Sequence, residues 1–251
     1  MTLALETSDL QKSFGGIVAT SSVSLRVERG ARHALIGPNG AGKTTLINLL
    51  TGVLDPDAGR VLLEGSDITR LAPHQRVRKG LARTFQINQL FGPLTPLETI
   101  GLAVSERMGR GGDWWRVAGS RSNVDDSIVE ALERFHLVEV MHERTERLPY
   151  GKQRLLEIAL AAVCKPRVLL LDEPAAGVPE DERHDILSAV AALPRDVTVL
   201  FIEHDMDLVF SFAERISVLV NGALFAEGAP AEIARDERVK AVYLGEEPVN
   251  A

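Results

Sequence analysis

The chain of 251 residues has a single cysteine, Cys164, so no intrachain disulfide can form, and this usage fits a reducing compartment. It has no run approaching the roughly 18–20 uninterrupted apolar residues that cross a bilayer, so any membrane connection is expected to come through a partner. It lacks a basic excess: 28 Lys and Arg against 35 Asp and Glu leave a formal net charge of −7, which argues against a general nucleic-acid binder. The start, Met1-Thr2-Leu3-Ala4-Leu5-Glu6, has neither the basic flank nor the apolar stretch of a signal peptide, and a cytosolic chain is the expectation. Internal repeats, heptad runs and low-complexity tracts are also missing. What is present is ordinary for a globular protein, 45% hydrophobic and 25% charged residues, with length enough for a sizeable core.

Short strands are expected over 3–7 and 23–27 with turn-rich sequence between them, then over 32–36, 60–64 and 81–85. Helices are expected over 44–50 and 73–79. From about 87 to 165 the pattern is helical, with Ile128, Leu132 and Phe135 on one face of 124–135 and a loop at Gly109-Arg110-Gly111-Gly112. Strands return at 168–171 and 198–202, alternating with helical 181–193 and 206–212. Asn221-Gly222 between 216–220 and 223–225 signals a hairpin. Strand and helix alternation around a helical block implies an α/β protein with a mostly parallel core sheet and a helical insertion at about 87–165, all within one domain spanning 1–251.

Gly37-Pro38-Asn39-Gly40-Ala41-Gly42-Lys43-Thr44 matches the phosphate-loop pattern G-x-x-x-x-G-K-S/T between a strand and a helix. Glycines let successive backbone N–H groups turn inward on phosphate oxygens, and the helix that follows adds its positive end. The candidate nucleotide contacts are Asn39, Gly40, Ala41, Gly42, Lys43, Thr44 and Thr45. Lys43 reaches the β- and γ-phosphates of ATP, and the Thr44 hydroxyl ligates Mg2+. A second apolar run, 168–171, ends in Asp172-Glu173, which delivers both carboxylates to the C-terminal edge of the sheet. There Asp172 holds Mg2+ through water, and Glu173 orients and activates the attacking water.

Leu148-Pro149-Tyr150-Gly151-Lys152-Gln153 resembles the L-S-G-G-Q signature of ABC ATPases, Thr84-Phe85-Gln86 their Q-loop, and Ile202-Glu203-His204-Asp205 their switch histidine. The order and spacing fit from Phe14 to Ala226. The resemblance implies a P-loop NTPase core with an antiparallel β subdomain and an inserted α-helical subdomain. It implies that Phe14 stacks on adenine, with a core phenylalanine as the alternative. Gln86 then senses the γ-phosphate and Mg2+ and links the site to a membrane partner, and His204 contacts the γ-phosphate. Tyr150, Gly151 and Gln153 cap, in trans, the ATP bound by a second subunit. Pro149 and Tyr150 depart from the family's serine and glycine, which alters that capping. Ala175-Ala176-Gly177-Val178-Pro179 departs as well, and no catalytic role is assigned there.

Within the family, Phe14-Gly15-Gly16-Ile17-Val18-Ala19, 84–91, Tyr150-Gly151 with Leu156-Glu157-Ile158-Ala159, 173–178 and Val242-Tyr243-Leu244-Gly245 resemble the ATPases of importers for branched-chain and other hydrophobic amino acids or amides. The resemblance implies a second ATPase subunit, the same or paralogous, two integral-membrane permease subunits, and an external solute-binding protein acting indirectly. Nucleic acid is not an expected partner. The implied place is peripheral, on the cytoplasmic face of the inner membrane. The groove near 86–91 is the expected permease dock; Phe91, Leu94, Leu97 and Ile100 are either an apolar patch there or core. Trp114-Trp115 reads as packing rather than a partner site, and Cys164 as a small buried side chain. The competing readings are a soluble ABC ATPase of translation or DNA maintenance, an exporter subunit, and a nucleotide-gated scaffold with little turnover. Tandem units or long coiled-coil inserts would mark the first; Lys43, Asp172, Glu173 and His204 together argue against the last.

Overall fold

The computed structural model describes residues 2–84, 90–109 and 122–244. In chain order the elements begin with β1 (Leu3–Phe14), β2 (Ile17–Val23), β3 (Arg26–Glu28), β4 (Arg32–Ile36), α1 (Lys43–Thr51), β5 (Ala58–Leu63), β6 (Ser66–Asp67), α2 (Pro73–Arg78) and β7 (Leu81–Arg83). The helical stretch holds α3 (Pro96–Arg107), α4 (Ser122–Arg134) and α5 (Tyr150–Val163). Then come β8 (Val168–Asp172), α6 (Glu180–Ala191), β9 (Thr198–Ile202), α7 (Met206–Phe212), β10 (Arg215–Val220), β11 (Ala223–Gly228), α8 (Pro230–Ile233) and α9 (Glu237–Leu244).

The chain divides into two compact units. The first comprises Met1–Ala82, Arg167–Glu173 and Arg195–Ala251. Its six-stranded sheet runs β11-β10-β4-β9-β8-β7, with β10, β4, β9 and β8 parallel and β11 antiparallel to β10. Every residue of β4 and β9 is buried, as expected of central parallel strands covered on both faces. The second sheet of this unit is antiparallel, in the order β2-β1-β5-β6, with β3 also on β1. One apolar core serves both sheets, joining Leu5, Leu10 and Val61 to Leu46, Ile47, Leu170 and Leu200.

At the end of β10 the hairpin turn is Asn221-Gly222, with φ +48° and +78°. Positive φ at both central residues gives the type I′ turn whose twist suits flanking strands. The expected turn-rich stretch after residue 7 is instead the rest of β1 and all of β2, joined at Gly15-Gly16; the expected strand over 23–27 straddles the break between β2 and β3.

The second unit comprises Arg83–Pro166 and Pro174–Pro194, and so takes in α6 besides the stretch from about 87 to 165. In it α3 packs on α4 and α5, and α5 also on α4 and α6. The inward face carries Ile100, Val104, Ile128, Leu132, Phe135, Leu155 and Leu156, all buried. Thr95 and Glu98 start α3 with reciprocal bonds: the Thr95 hydroxyl accepts from the Glu98 N–H at 3.2 Å, and the Glu98 carboxylate from the Thr95 N–H at 2.8 Å. Among the apolar residues considered for a dock, Phe91 is 62% exposed and Ile100 is buried in the core. Cys164 is exposed at the end of α5, not buried, its thiol donating to the Leu160 carbonyl at 3.4 Å. Phe85, Gln86, the loop at 110–112, Trp114-Trp115 and Gly245 lie outside the described residues.

Candidate functional site

Because β4, β9 and β8 are parallel neighbours, their C-terminal ends form one edge in the first unit. Past β4 comes the loop 37–42, past β8 Glu173, and past β9 Glu203 and His204. Such edges are where open α/β sheets receive ligands, since each strand ends by releasing its chain toward the same side.

The loop's shape is set by contacts only glycine permits. Gly42 has φ +99°, and a Cβ there would stand 2.2 Å from the Ala19 carbonyl oxygen. At Gly37 a Cβ would stand 2.2 Å from the Leu219 carbonyl oxygen. The β10–β11 turn supports the loop's far side, where the Gly222 N–H donates to Ala41 at 2.9 Å. No side chain caps α1 at Gly42, so its first-turn N–H groups are free to meet an anion. Asn39, Gly40 and Thr44 are exposed, Thr45 is half-buried and Ala41 is turned into the protein.

Lys43 lies over its own loop, donating to the carbonyls of Gly37 at 2.6 Å and Pro38 at 3.0 Å. Burial lowers the pKa of its amine, an effect opposed by the negative charges of Glu173 and Asp172. The lysine, the phosphate loop and the two carboxylates therefore belong to one electrostatic site.

Asp172 ends β8 opposite Ile202, and the Glu173 N–H donates to the Ile202 carbonyl at 3.0 Å. Glu173 itself has φ +47°, a left-handed conformation that side-chain-bearing residues seldom adopt. This kink redirects the chain as it leaves β8, at a local backbone cost. The His204 Nδ1 is 3.8 Å from Glu173 Oε1 and equally 3.8 Å from Glu203 Oε2. The histidine is held from both sides along the chain. Behind it, Phe201 of β9 packs edge-on against Phe212 of α7, ring centroids 5.0 Å apart. Ahead of it, the Asp205 carboxylate caps α7 by accepting from the N–H groups of Asp207 and Leu208.

Glu203 was not singled out by the sequence pattern, yet it is 2% exposed and its Oε2 accepts from the His204 N–H at 3.2 Å. A carboxylate directly before a candidate histidine was the only available signal. Phe14 ends β1 with 47% of its surface exposed, so it is not a core residue, and the Lys12 amine lies 5.8 Å from its ring centre. The donors suited to a magnesium ion within this unit are the Thr44 hydroxyl and the Asp172 carboxylate. Both are hard oxygen donors, and few enough to leave the ion several waters, as Mg2+ prefers.

The second unit places the signature-like residues at the start of α5. Pro149 is the residue before the helix and supplies no side-chain cap. Tyr150 is 42% exposed and packs against Gly177, where a Cβ would stand 3.3 Å from the phenol oxygen. A Cβ on Gly151 would lie 2.0 Å from the Glu182 carboxylate, the movable end of a flexible side chain. The Gln153 amide donates to Leu148 at 2.9 Å, while Lys152, fifth in the pattern from Leu148, donates to the His136 carbonyl at 2.8 Å.

The sequence matches a family model described as ABC transporter over residues 20–176. A second model, described as branched-chain amino acid ATP-binding cassette transporter, matches 223–249. The chain is 40% identical to a high-affinity branched-chain amino acid transport ATP-binding protein, BraF, of Pseudomonas aeruginosa, over 96% of this chain and 98% of that one. With the LivG protein of Escherichia coli, described in the same words, the identity is 37% over 96% and 98%. A solved structure described as the ADP conformation of an ATP-binding cassette of an ABC transporter superposes with TM-score 0.83 at 32% identity, covering 98% of this chain and 100% of that one.

Proposed function

The chain belongs to the ABC transporter family, and from that membership we propose that it is the ATP-hydrolysing subunit of an importer for branched-chain or other hydrophobic amino acids or amides. The observation that carries the ATPase reading is the gathering of Lys43, Asp172, Glu173 and His204 at one sheet edge beside the phosphate loop. The similarity to BraF and LivG, together with the match at 223–249, supports the solute class.

In this reading the loop N–H groups and the start of α1 hold the phosphates, with Asn39, Gly40, Ala41, Gly42, Thr44 and Thr45 around them. Lys43 exchanges the carbonyls of Gly37 and Pro38 for β- and γ-phosphate oxygens, so the loop trades an internal bond for a charge-assisted one. Glu173 accepts a proton from the attacking water as its oxygen bonds to the γ-phosphorus and the bond from that phosphorus to the β–γ bridging oxygen breaks, releasing ADP. His204 holds that water and a γ-phosphate oxygen in line, with Glu203 behind it fixing the turn from which it projects. Thr44 and Asp172, joined by Gln86, would hold Mg2+, which would offset negative charge on the phosphates. Phe14 offers its exposed ring to adenine.

The working unit is an ATPase pair in which Tyr150, Gly151 and Gln153 of each subunit face the nucleotide of the other. The chain acts as one ABC ATPase domain with its helical insertion at about 87–165, peripheral on the cytoplasmic face of the inner membrane. Among the described residues no helix is long and apolar enough to cross a membrane, so two permease subunits provide the path, fed by an external solute-binding protein. Closure of the ATPase pair on ATP then drives the permease by coupling free energy.

A pull-down of the tagged chain in gentle detergent, read by mass spectrometry, tests the transport reading. Two multi-spanning permeases, with or without a second ATPase, are expected. Ribosomal or DNA-associated proteins in their place would discard transport and leave the ATPase assignment standing.

A further inference from the structure

Gln11, Lys12 and Ser13, the three residues ahead of Phe14, are all held by Asp57. That residue stands between α1 and β5, next to Ala58, which pairs with Gln11 of β1. The Asp57 N–H donates to the Gln11 carbonyl at 2.9 Å. Its Oδ1 accepts from the Lys12 amine at 2.8 Å, and its Oδ2 from the Ser13 N–H at 2.7 Å. A carboxylate that accepts on both oxygens, from a cation and from the main chain, is fixed in orientation as well as in place. These bonds, that of Lys12 foremost, hold the carboxyl below its usual range, so it is ionised at pH 7. The Lys12 amine so held lies 5.8 Å from the centre of the Phe14 ring, within reach of the attraction between a cation and an aromatic face.

The end of β1 has need of such a fastening. Its pairing with β2 slips between Leu10 and Lys12 and again between Lys12 and Ser13, and its pairing with β5 slips between Ser8 and Gln11. Bulges of this kind give up ladder bonds and let a strand bend. Beyond Phe14 the turn at Gly15-Gly16 is open, since a Cβ on either glycine would meet nothing within 4 Å. Phe14 and Ile17, its partner across the strands, are both exposed. Asp57, by contrast, belongs to a segment tied to α1, where the Leu54 N–H donates to the Asn48 carbonyl at 3.1 Å and Leu54 packs on the core. One residue thus joins the strand that carries the ring to the segment trailing the phosphate-loop helix.

We propose that Asp57 is a positioning residue of the nucleotide site: through Lys12 and Ser13 it fixes the end of β1 and presents the Phe14 ring to the base. The proposal rests on the reading of Phe14 as the stacking partner of adenine. Asp57 acts without touching the nucleotide, because a ring already held in place has less freedom to lose when a base stacks on it.

The test separates the base from the phosphates. Affinities for ATP and for inorganic tripolyphosphate are measured by calorimetry on the full chain and its variants. Asp57→Ala should weaken ATP binding about fivefold, the cost of ordering one side chain, and leave tripolyphosphate within about twofold. Phe14→Ala should weaken ATP binding about tenfold or more, the range for a lost base–aromatic stack. Adding Asp57→Ala to Phe14→Ala should bring no further loss, since the two act through one contact. Asp57→Asn keeps an acceptor for the Ser13 N–H while losing the charge that holds Lys12. It should show a smaller loss of the same selective kind, and it decides the matter where the alanine variant does not fold. Equal weakening of both ligands, or a lower thermal midpoint with both affinities intact, would make Asp57 a structural residue of β1 and overturn the proposal. Unchanged ATP affinity in Asp57→Ala beside a weakened Phe14→Ala would overturn it and leave the stacking reading standing. Unchanged ATP affinity in Phe14→Ala would sink the stacking reading, and the proposal with it.

Discussion

His33 makes the stability of the phosphate-loop strand depend on pH. It lies in β4, four residues ahead of Gly37, and is fully buried. Its Nε2 is 2.8 Å from the Ser217 hydroxyl, which in turn donates to Glu227 at 2.8 Å. Since the serine proton is given to the carboxylate, the imidazole carries its own proton on Nε2 and donates it to the serine oxygen. Nδ1 is buried and makes no hydrogen bond among the described residues. A second proton would therefore sit on a nitrogen with nothing to receive it. Burial accordingly lowers the folded-state pKa from 6.5 to about 4, against the pull of Glu227 and helped by Arg215.

A histidine with a depressed folded pKa is charged more readily when unfolded, so acid favours the unfolded chain: the loss begins as pH falls through about 6.5 and is complete near 4. Between pH 7 and pH 5 the two pKa values imply about 2 kcal/mol of lost stability from this one group. His33→Gln keeps an N–H for Ser217 and cannot titrate. Urea unfolding at pH 7, 6 and 5 should show the wild type losing about 2 kcal/mol more than the variant over that range. Parallel pH profiles for the two proteins would refute the reasoning.

Arg76 is a buried cation facing carbonyls: its guanidinium donates to Leu49, Leu50, Thr69 and Leu71 at 2.6–2.9 Å and so closes the C-terminal end of α1. Arg76→Met should cost about 3 kcal/mol, a fall of roughly 6–12 °C in thermal midpoint, measurable by calorimetry. Gly42→Ala places a Cβ 2.2 Å from the Ala19 oxygen at φ +99°. Strain of about 1–3 kcal/mol in the loop should weaken nucleotide binding roughly five- to a hundredfold in a fluorescence titration.

The central strands were legible because their burial is complete. Arg32–Ile36 runs into Ala34-Leu35-Ile36 before a Gly37-Pro38 turn, Thr198–Ile202 is apolar after its first residue, and both form strands with those bounds. Asn221-Gly222 marked its hairpin equally well, since few dipeptides tolerate positive φ twice. The β1–β2 ribbon was not legible. From Ser8 to Ser13 only Leu10 is buried, and register shifts against both neighbours break the alternation that marks a half-buried strand. Asp9 and Ser22, both at positive φ, make the stretch read as turn.

At the site, motif spacing pointed to Lys43, Asp172, Glu173 and His204, because chemistry constrains residue type at those places. Glu203 and Arg76 carry no such pattern. Glu203 acts on its neighbour His204, and the role of Arg76 arises from contacts with the distant carbonyls of Leu49 and Leu50.

Glu173, at φ +47° beside His204, is the residue proposed to activate the water that cleaves ATP. Steady-state phosphate release by Glu173→Gln, with ATP binding measured on the same sample, tests it most directly. Retained binding, an accumulating ATP-bound pair and turnover lowered about a hundredfold or more are expected, the range for loss of a general base. Wild-type turnover in that variant would contradict it.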